Sequence, residues 1–164
     1  MISTITETPQ LRIRQQSINK SLTAISDLLN RCSPANYDVI AIQEPYIDFL
    51  GNARVTPGWI SVYPKLHYIN KERRTRSVIL VSRKLAKDEW MAIDVDSPDI
   101  TGVKIRMRNT NIAIYNIYCN CSHSGSMRDM KRHLRGEEVS GNGGGGNEHM
   151  IWLGDFNRHH PEWD

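Results

Sequence analysis

Residues 11–46 read LRIRQQSINKSLTAISDLLNRCSPANYDVIAIQEPY, and the fold class follows most directly from this segment. Its first part alternates apolar and polar side chains around Leu11 and Ile13, the period of two that indicates a strand with one buried face. Its last part contains a continuous apolar run, residues 39–42, which is typical of a strand covered on both faces. The segment therefore predicts two strands separated by about twenty residues of a different pattern.

The link between these strands predicts a helix. Ser21 can cap its start and the sequence SPAN ends it. Apolar residues recur through the link at helical spacing: Leu22, Ile25, Leu28 or Leu29, and Cys32. Strand, helix and strand together resemble a β-α-β crossover, the unit from which layered α/β domains are built.

Beyond this unit the chain is rich in β-like segments and poor in helices. The next four segments are GWISVY, RSVILVS, WMAIDV and VKIRM. NIAIYNIYC, residues 111–119, then alternates at Ile112, Ile114 and Asn116. A short basic helix is predicted around residues 126–134, and a last strand is predicted in HMIWLGDF. Many strands with few helices predict an α/β fold, a two-sheet β-sandwich flanked by helices, and not a Rossmann array.

Length and composition predict one domain or part of one. The chain has 164 residues, of which 39% are hydrophobic, enough for one globular core. Residues 1–10 are polar and are predicted to form a flexible lead-in, so the domain would occupy residues 11–164. The glycine-rich run at 141–147 lacks the Lys-Ser/Thr ending of a phosphate-binding loop and is predicted to be a flexible linker inside the domain.

Cysteine usage and the absence of targeting signals indicate the cellular compartment in which the protein is expected. Cys32, Cys119 and Cys121 do not pair evenly, which predicts reduced, intracellular thiols. The N-terminus lacks a basic region followed by an apolar core, and no apolar run approaches the length that spans a bilayer. We therefore expect a soluble, non-secreted protein that does not enter a membrane.

Basic side chains are concentrated in two stretches, residues 70–76 and 127–135. The formal net charge is +3, which permits a polyanionic partner without requiring one. The two stretches could follow a phosphate backbone, or they could simply form a solvated loop and a solvated helix face. Within the first stretch, Arg74 and Arg76 are the predicted substrate-binding side chains.

Two acidic residues, Glu44 in AIQEPY and Asp155 in WLGDFN, each follow an apolar strand. A carboxylate beyond a strand end suits a hard cation such as Mg²⁺, which takes one or two protein carboxylates and completes its shell with water and substrate phosphate. Both acids could also be ordinary solvated loop residues. The neighbouring His159 and His160 do not predict a metal pair, because adjacent side chains project in different directions.

The motifs, taken in sequence order, resemble the endonuclease/exonuclease/phosphatase superfamily. They are LRIRQQSINKS, DVIAIQEPY, RSVILVS, AIYNIYC and HMIWLGDFNRHHPEWD. The strings QEPY and GDFNRHHP-x-W are most similar to the apurinic-type endonuclease domain of non-LTR (LINE-type) retrotransposons, with a fungal type as the expectation. The resemblance runs from about Leu11 to the last residue, and it implies a DNase I-like fold of four layers.

The resemblance also implies roles for individual residues. Glu44 would bind the catalytic divalent metal, Mg²⁺ or Mn²⁺, and Asn19 would support that site. Tyr118 would contact the scissile phosphate, Asp155 would orient or deprotonate the attacking water, and Asn157 would hold the phosphate. Tyr118 could otherwise be a strand aromatic and Asn157 a turn cap.

Two departures from the family pattern affect these expectations. Ser17 stands where the family usually has asparagine, so a hydroxyl replaces an amide and a site contact is weakened. The family also continues beyond the GDFN motif to a terminal Ser-Asp-His motif, whereas this sequence ends at Asp164. The resemblance therefore implies an N-terminal fragment of the domain, incomplete at its C-terminus, with weak or no nuclease turnover by itself.

The function that the resemblance implies is nicking of DNA for retrotransposition by a Mg²⁺-dependent endonuclease. Such an enzyme would act in the nucleus, linked to a reverse transcriptase in the full-length element, with no obligate protein partner. Two alternatives stay open: a phosphatase or phosphodiesterase of the same superfamily that acts on a lipid or small phosphoester, and a non-catalytic remnant that binds DNA. Nicking that is lost in Asp155→Ala separates the endonuclease from the remnant, and competition between phosphoinositide and plasmid separates it from the lipid enzyme.

Overall fold

The computed structural model describes residues 10–69, 74–120, 122, 124–139 and 147–157, and the side chains of residues 138 and 139 are not described. Its elements in chain order are β1 (Ile13–Ser17), α1 (Leu22–Arg31), β2 (Val39–Gln43), β3 (Trp59–Val62), β4 (Ser77–Ser82), β5 (Trp90–Ile93), β6 (Ile100–Arg106), β7 (Asn111–Tyr118), α2 (Gly125–Val139) and β8 (Glu148–Asp155). Several predicted features lie outside the described residues: nearly all of the lead-in, the glycine-rich run up to residue 146, residues 70–73 of the first basic stretch, Cys121 and the His159-His160 pair.

The eight described strands form two mixed sheets of four strands. Sheet 1 has the order β1-β2-β4-β3, in which β1 is parallel to β2 and the other pairs are antiparallel. Sheet 2 has the order β5-β6-β7-β8, in which β8 is parallel to β7 and the other pairs are antiparallel. The parallel pairing of β1 and β2 through α1 confirms the predicted crossover, and the predicted sandwich is confirmed.

Three hydrophobic clusters order the molecule into four layers. The central cluster joins Val39 and Ile79 of sheet 1 to Val103 and Ile114 of sheet 2. A second cluster packs α1 on the outer face of sheet 1, and a third packs α2 on the outer face of sheet 2. Since adjacent side chains of a strand point to opposite faces, the strands in the middle of this stack are apolar at successive positions.

Helix α1 forms where the sequence predicts it. The Ser21 side chain accepts a hydrogen bond from the backbone N–H of Ala24 at 3.1 Å, and the helix ends at Arg31, just before Cys32. Ile25 and Leu28 are buried against sheet 1. The apolar stripe and the cap together fix both the start and the inward face of this helix.

Strand β7 and helix α2 differ in detail from the sequence prediction. The predicted alternation continues through Asn116, because Ile112, Ile114 and Asn116 all face sheet 1. The difference is that the opposite face is buried as well, since Tyr115 and Ile117 pack towards α2. Helix α2 is longer than the predicted 126–134. The sequence does not reveal its last part, because residues 135–138 carry no apolar side chain. Among the described residues, no helix is long and apolar enough to span a membrane.

Candidate active site

Strand ends from both sheets meet at one edge of the sandwich. In sheet 1, β1 and β2 end where β4 begins, so that Ser17, Gln43 and Ser77 are neighbours. In sheet 2, β7 and β8 end together, with Tyr118 paired to Asp155. The polar residues that follow or precede these strands are therefore gathered from distant parts of the sequence.

A buried amide holds the two sheets together just behind this edge. Asn116 of β7 donates from its side chain to the carbonyl oxygens of Ile42, at 2.9 Å, and Val78, at 3.0 Å, both in sheet 1. Its own side-chain oxygen accepts a hydrogen bond from Gln43, and the Ser77 hydroxyl donates to its backbone carbonyl at 2.8 Å. Because buried polar groups are costly unless they are bonded, this network specifies how the two strand ends meet.

Glu44 is held at the end of β2 by backbone contacts from two other segments. Its N–H donates to the carbonyl of Arg76 at 2.9 Å, and its carbonyl accepts from the N–H of Lys20 at 2.7 Å. The Lys20 ammonium lies 3.6 Å from its carboxylate. Glu44, Lys20 and Asn19 all have positive φ angles, of 47°, 58° and 45°. Such backbone angles in residues other than glycine cost energy and are concentrated at functional sites.

The Tyr118 phenol lies between acidic groups of both sheets. Burial raises its pKa above 10, and the nearby carboxylates of Glu44 and Asp155 raise this pKa further, while Arg76 lowers it. Glu44 adds to this rise in pKa through a hydrogen-bonding interaction with the phenol as well as through its charge. Tyr118 therefore keeps its proton at neutral pH and can donate a hydrogen bond to an anionic oxygen.

Arg76 reaches the site through Tyr118 and is anchored by a residue that the sequence analysis missed. Its guanidinium carbon lies 4.9 Å from the centroid of the Tyr118 ring, and its Nε donates to Oδ1 of buried Asp99 at 2.8 Å. A second bond, from Nη2 to Oδ2 at 3.2 Å, makes the pair bidentate. The Ser126 hydroxyl donates to the backbone carbonyl of Tyr118 at 2.7 Å. The predicted contact of Arg76 with substrate stays a prediction.

Asp155 and Asn157 follow an unusual strand end. Gly154 has a φ of 151°, and a Cβ placed there would stand 1.8 Å from the carbonyl oxygen of Ile117. Beyond it, the Asp155 carbonyl accepts from the N–H of Cys119 at 2.7 Å, and the Asn157 side chain donates to the Cys119 carbonyl at 2.9 Å. These bonds tie the turn after β8 to the turn after β7, and so bring Asp155 beside Tyr118.

The donor set at this edge fits a hard divalent cation. In the part of the chain that the structure describes, no three His, Cys, Asp or Glu side chains form a group that could hold a metal ion. Glu44 offers one half-buried carboxylate, and exposed Asn19 lies at the end of the neighbouring strand. A single carboxylate with water and phosphate oxygens is a ligand set that Mg²⁺ accepts.

The basic residues divide between the site and the surface. Exposed Arg74 lines a cleft together with Lys20, beside Glu44. On α2, Arg128 and Lys131 are exposed to solvent on the outermost layer, and Arg132 pairs with Asp129 at 3.3 Å. The first stretch thus contributes side chains next to Glu44, whereas the second agrees with a solvated helix face.

Comparison with known proteins agrees with this architecture. The model of the Endonuclease/Exonuclease/phosphatase family matches residues 14–164. The solved endonuclease domain of TRAS1, a telomere-specific non-LTR retrotransposon, is similar at 18% identity with a TM-score of 0.66, over 94% of this chain and 62% of that one. A humanized D. rerio TDP2 is similar at 13% identity and a TM-score of 0.53, over 93% and 64% of the two chains.

A third structure, a family protein from Leptotrichia buccalis, is similar at 15% identity and a TM-score of 0.53, over 90% of this chain and 67% of that one. No curated protein matches the sequence. The chain spans slightly under two thirds of the length of the TRAS1 and TDP2 structures. At these identities the structural likeness shows a shared DNase I-like fold, which confirms the predicted fold class. Because the family model matches nearly the whole sequence, this chain belongs to the Endonuclease/Exonuclease/phosphatase family.

Proposed function

We propose that this chain carries the site of a metal-dependent endonuclease that hydrolyses DNA phosphodiester bonds. The observation that carries the proposal is the meeting of Glu44, Tyr118 and Asp155 at one edge of the sandwich, from three different strands. A carboxylate for a cation, a neutral donor and a second carboxylate are the groups that phosphodiester hydrolysis requires. Family membership supports this class of reaction, and similarity to the TRAS1 endonuclease domain supports a role in retrotransposition.

Each residue has a definite task in the proposed reaction. Glu44, assisted by Asn19, would hold Mg²⁺ or Mn²⁺, which supplies positive charge to the phosphate oxygens. Tyr118 donates its proton in a hydrogen bond to a phosphate oxygen as negative charge grows there. Asp155 orients a water and accepts its proton as the new phosphorus–oxygen bond forms, and the Asn157 amide steadies the phosphate.

The product of this reaction would suit a retrotransposon. The bond from phosphorus to O3′ breaks, the departing oxygen takes a proton from solvent, and a 3′ hydroxyl is left on the nicked strand. A reverse transcriptase linked to the endonuclease in the nucleus could extend that hydroxyl. Arg74 and Lys20, beside Glu44, would face the DNA backbone.

The test combines plasmid nicking with a direct measurement of metal binding. We expect slow Mg²⁺-dependent nicking that falls by about a hundredfold or more in Asp155→Asn, while Mn²⁺ binding measured by electron paramagnetic resonance is unchanged. Glu44→Gln should weaken Mn²⁺ binding by about tenfold and reduce nicking as well. A matched carboxylate change on α2, Asp129→Asn, should alter neither.

Three results would contradict the proposal. They are nicking that resists EDTA, nicking that survives Asp155→Asn, and Mn²⁺ binding that is unaffected by Glu44→Gln. The chemistry of the nick gives an independent check, because the proposed bond cleavage leaves a 3′ end that a DNA polymerase extends directly. A nick that requires phosphatase treatment before extension would mean that the other phosphorus–oxygen bond is cut.

A further inference from the structure

A cleft of about 560 Å³ opens beside Glu44, between the connection from β2 to β3 and the segment that leads into β4. Pro45, the residue after Glu44, lines it at one end, and Lys20, whose ammonium lies 3.6 Å from the Glu44 carboxylate, lines it as well. Its volume falls within the range of about 300–1,000 Å³ that is usual for sites of small organic groups. The cleft therefore extends the candidate active site in one direction.

Exposed aromatic side chains form part of this cleft. Phe49 is 95% exposed and Tyr68 is 61% exposed, and Tyr46 lies deeper on the same lining. The turn that carries Phe49 is ordered, because the Asp48 carboxylate accepts hydrogen bonds from the N–H groups of Leu50, at 2.9 Å, and Asn52, at 2.8 Å. Together with Leu50, which is 67% exposed on the same lining, these side chains form an exposed apolar patch, and such a patch indicates a contact surface.

The back of the cleft is built from side chains that are already fixed. One ring nitrogen of His67 is 2.5 Å from the Thr75 hydroxyl, and the other is 2.6 Å from the carbonyl oxygen of Gly51. The same ring stacks on Tyr63, with centroids 4.1 Å apart. His67 thus joins the turn that carries Phe49 to the segment that carries Arg74, and the cleft exists without a ligand.

We propose that this cleft binds an unpaired nucleobase of the strand whose phosphate lies at Glu44. Phe49 and Tyr68 provide faces on which a base stacks, and Lys20 and Arg74 provide positive charge for its phosphates. Stacking accepts any base, because every base has a flat aromatic face, and it requires that the base has left the duplex. The preferred substrate is therefore single-stranded or locally unpaired DNA, an inference that rests on the proposed function.

Base stacking is separable from backbone attraction in a binding experiment. The probes are a fluorescein-labelled single strand of about twelve thymidines and the same strand with its central bases replaced by abasic tetrahydrofuran units, which keep every phosphate. In fluorescence anisotropy with Ca²⁺, we expect the complete strand to bind about tenfold more tightly than the abasic strand. Phe49→Ala and Tyr68→Ala should each remove most of that difference and leave binding of the abasic strand unchanged.

Met91→Ala is the matched control, because Met91 is 60% exposed on β5 of the other sheet. Equal affinity for the two strands would overturn the inference. A Phe49→Ala protein would also overturn it if it kept the full preference for the complete strand, or if its affinity for both strands fell by the same factor. Nicking by the wild-type protein without base-dependent binding would refute only the proposed role of the cleft in binding a nucleobase. Base-dependent binding without metal-dependent nicking would refute only the proposed function.

Discussion

At the scale of single residues, Gly154 determines where Asp155 lies. Its φ of 151° is unfavourable for other residues, and an added Cβ would stand 1.8 Å from the carbonyl oxygen of Ile117 in the neighbouring strand. We expect Gly154→Ala to lower the free energy of unfolding by about 2–4 kcal/mol, measured by urea denaturation.

Gly136 of α2 provides the matched glycine for this experiment. An added Cβ there meets nothing within 4 Å, and the residue is helical. Gly136→Ala should therefore stabilise the protein by about 0.5–1 kcal/mol. Unfolding of both alanine variants at the same urea concentration would contradict the close approach of β8 to β7 at Gly154.

Two half-buried histidines make stability depend on pH. Burial lowers the pKa of His67 and of His133 below 6.5, and this effect exceeds the opposing influence of the Gly51 carbonyl on His67 and of Glu137 on His133. As pH falls through about 6.5, the unfolded chain takes up protons before the folded chain does, so stability is present above that pH and is lost below it. We expect a lower urea midpoint at pH 5.5 than at pH 7.5.

The contribution of His133 to this pH dependence can be isolated. Burial raises the pKa of Tyr115 to about 12, so its hydroxyl stays protonated and can donate to Nε2 of neutral His133, 3.0 Å away. His133→Gln keeps a hydrogen-bond acceptor and should reduce the loss of stability between pH 7.5 and 5.5. His149→Gln, on the exposed part of β8, should keep the whole loss. The same pH dependence in all three proteins would contradict this role for His133.

At the scale of elements, one side chain caps the start of helix α1. The Ser21 side chain satisfies the N–H of Ala24 in the first turn. Ser21→Ala should therefore cost about 1 kcal/mol of unfolding free energy in urea. Ser26, inside the same helix, donates only to the Leu22 carbonyl that precedes it by one turn, so Ser26→Ala should be neutral or slightly stabilising. Equal effects of the two changes would show that the cap does not stabilise the helix start.

The elements that the sequence predicts well are those with local signals. Helix α1 has a cap, an apolar stripe and a stop within residues 21–36, and β2 is an unbroken apolar run. The end of α2 was misplaced because residues 135–138 carry no apolar side chain that could signal packing. The burial of both faces of β7 was missed because it depends on the opposite sheet and on α2, which are distant in sequence.

At the scale of the whole molecule, the candidate site is assembled by the stacking of two sheets. Glu44 and Asp155 were predictable because each ends an apolar strand, and the family resemblance added Tyr118. Asp99 and Asn116 were not predictable in this way. Asp99 is 23 positions from Arg76 in the sequence, and Asn116 is 74 positions from Ile42. These pairs are in contact only because of how the sheets are placed relative to each other.

The joint between the sheets yields the last prediction. Asn116→Ala would remove the side-chain donor to the carbonyls of Ile42 and Val78 and the acceptor of the Gln43 side-chain N–H, all of them buried. Because each unsatisfied buried group costs about 1–3 kcal/mol and some strain will relax, we expect a loss of about 2–4 kcal/mol of unfolding free energy in urea.

Gln15 tests whether burial, and not the mere presence of an amide, causes this loss. It donates to the same Gln43 side chain at 2.5 Å but is exposed, so water can replace it in Gln15→Ala and the cost should stay below about 1 kcal/mol. Asn116→Ala should also weaken Mn²⁺ binding, because Gln43 immediately precedes Glu44, whereas Gln15→Ala should not. Equal losses of stability, or unchanged Mn²⁺ binding in Asn116→Ala, would mean that the sheets hold their edge together without this amide.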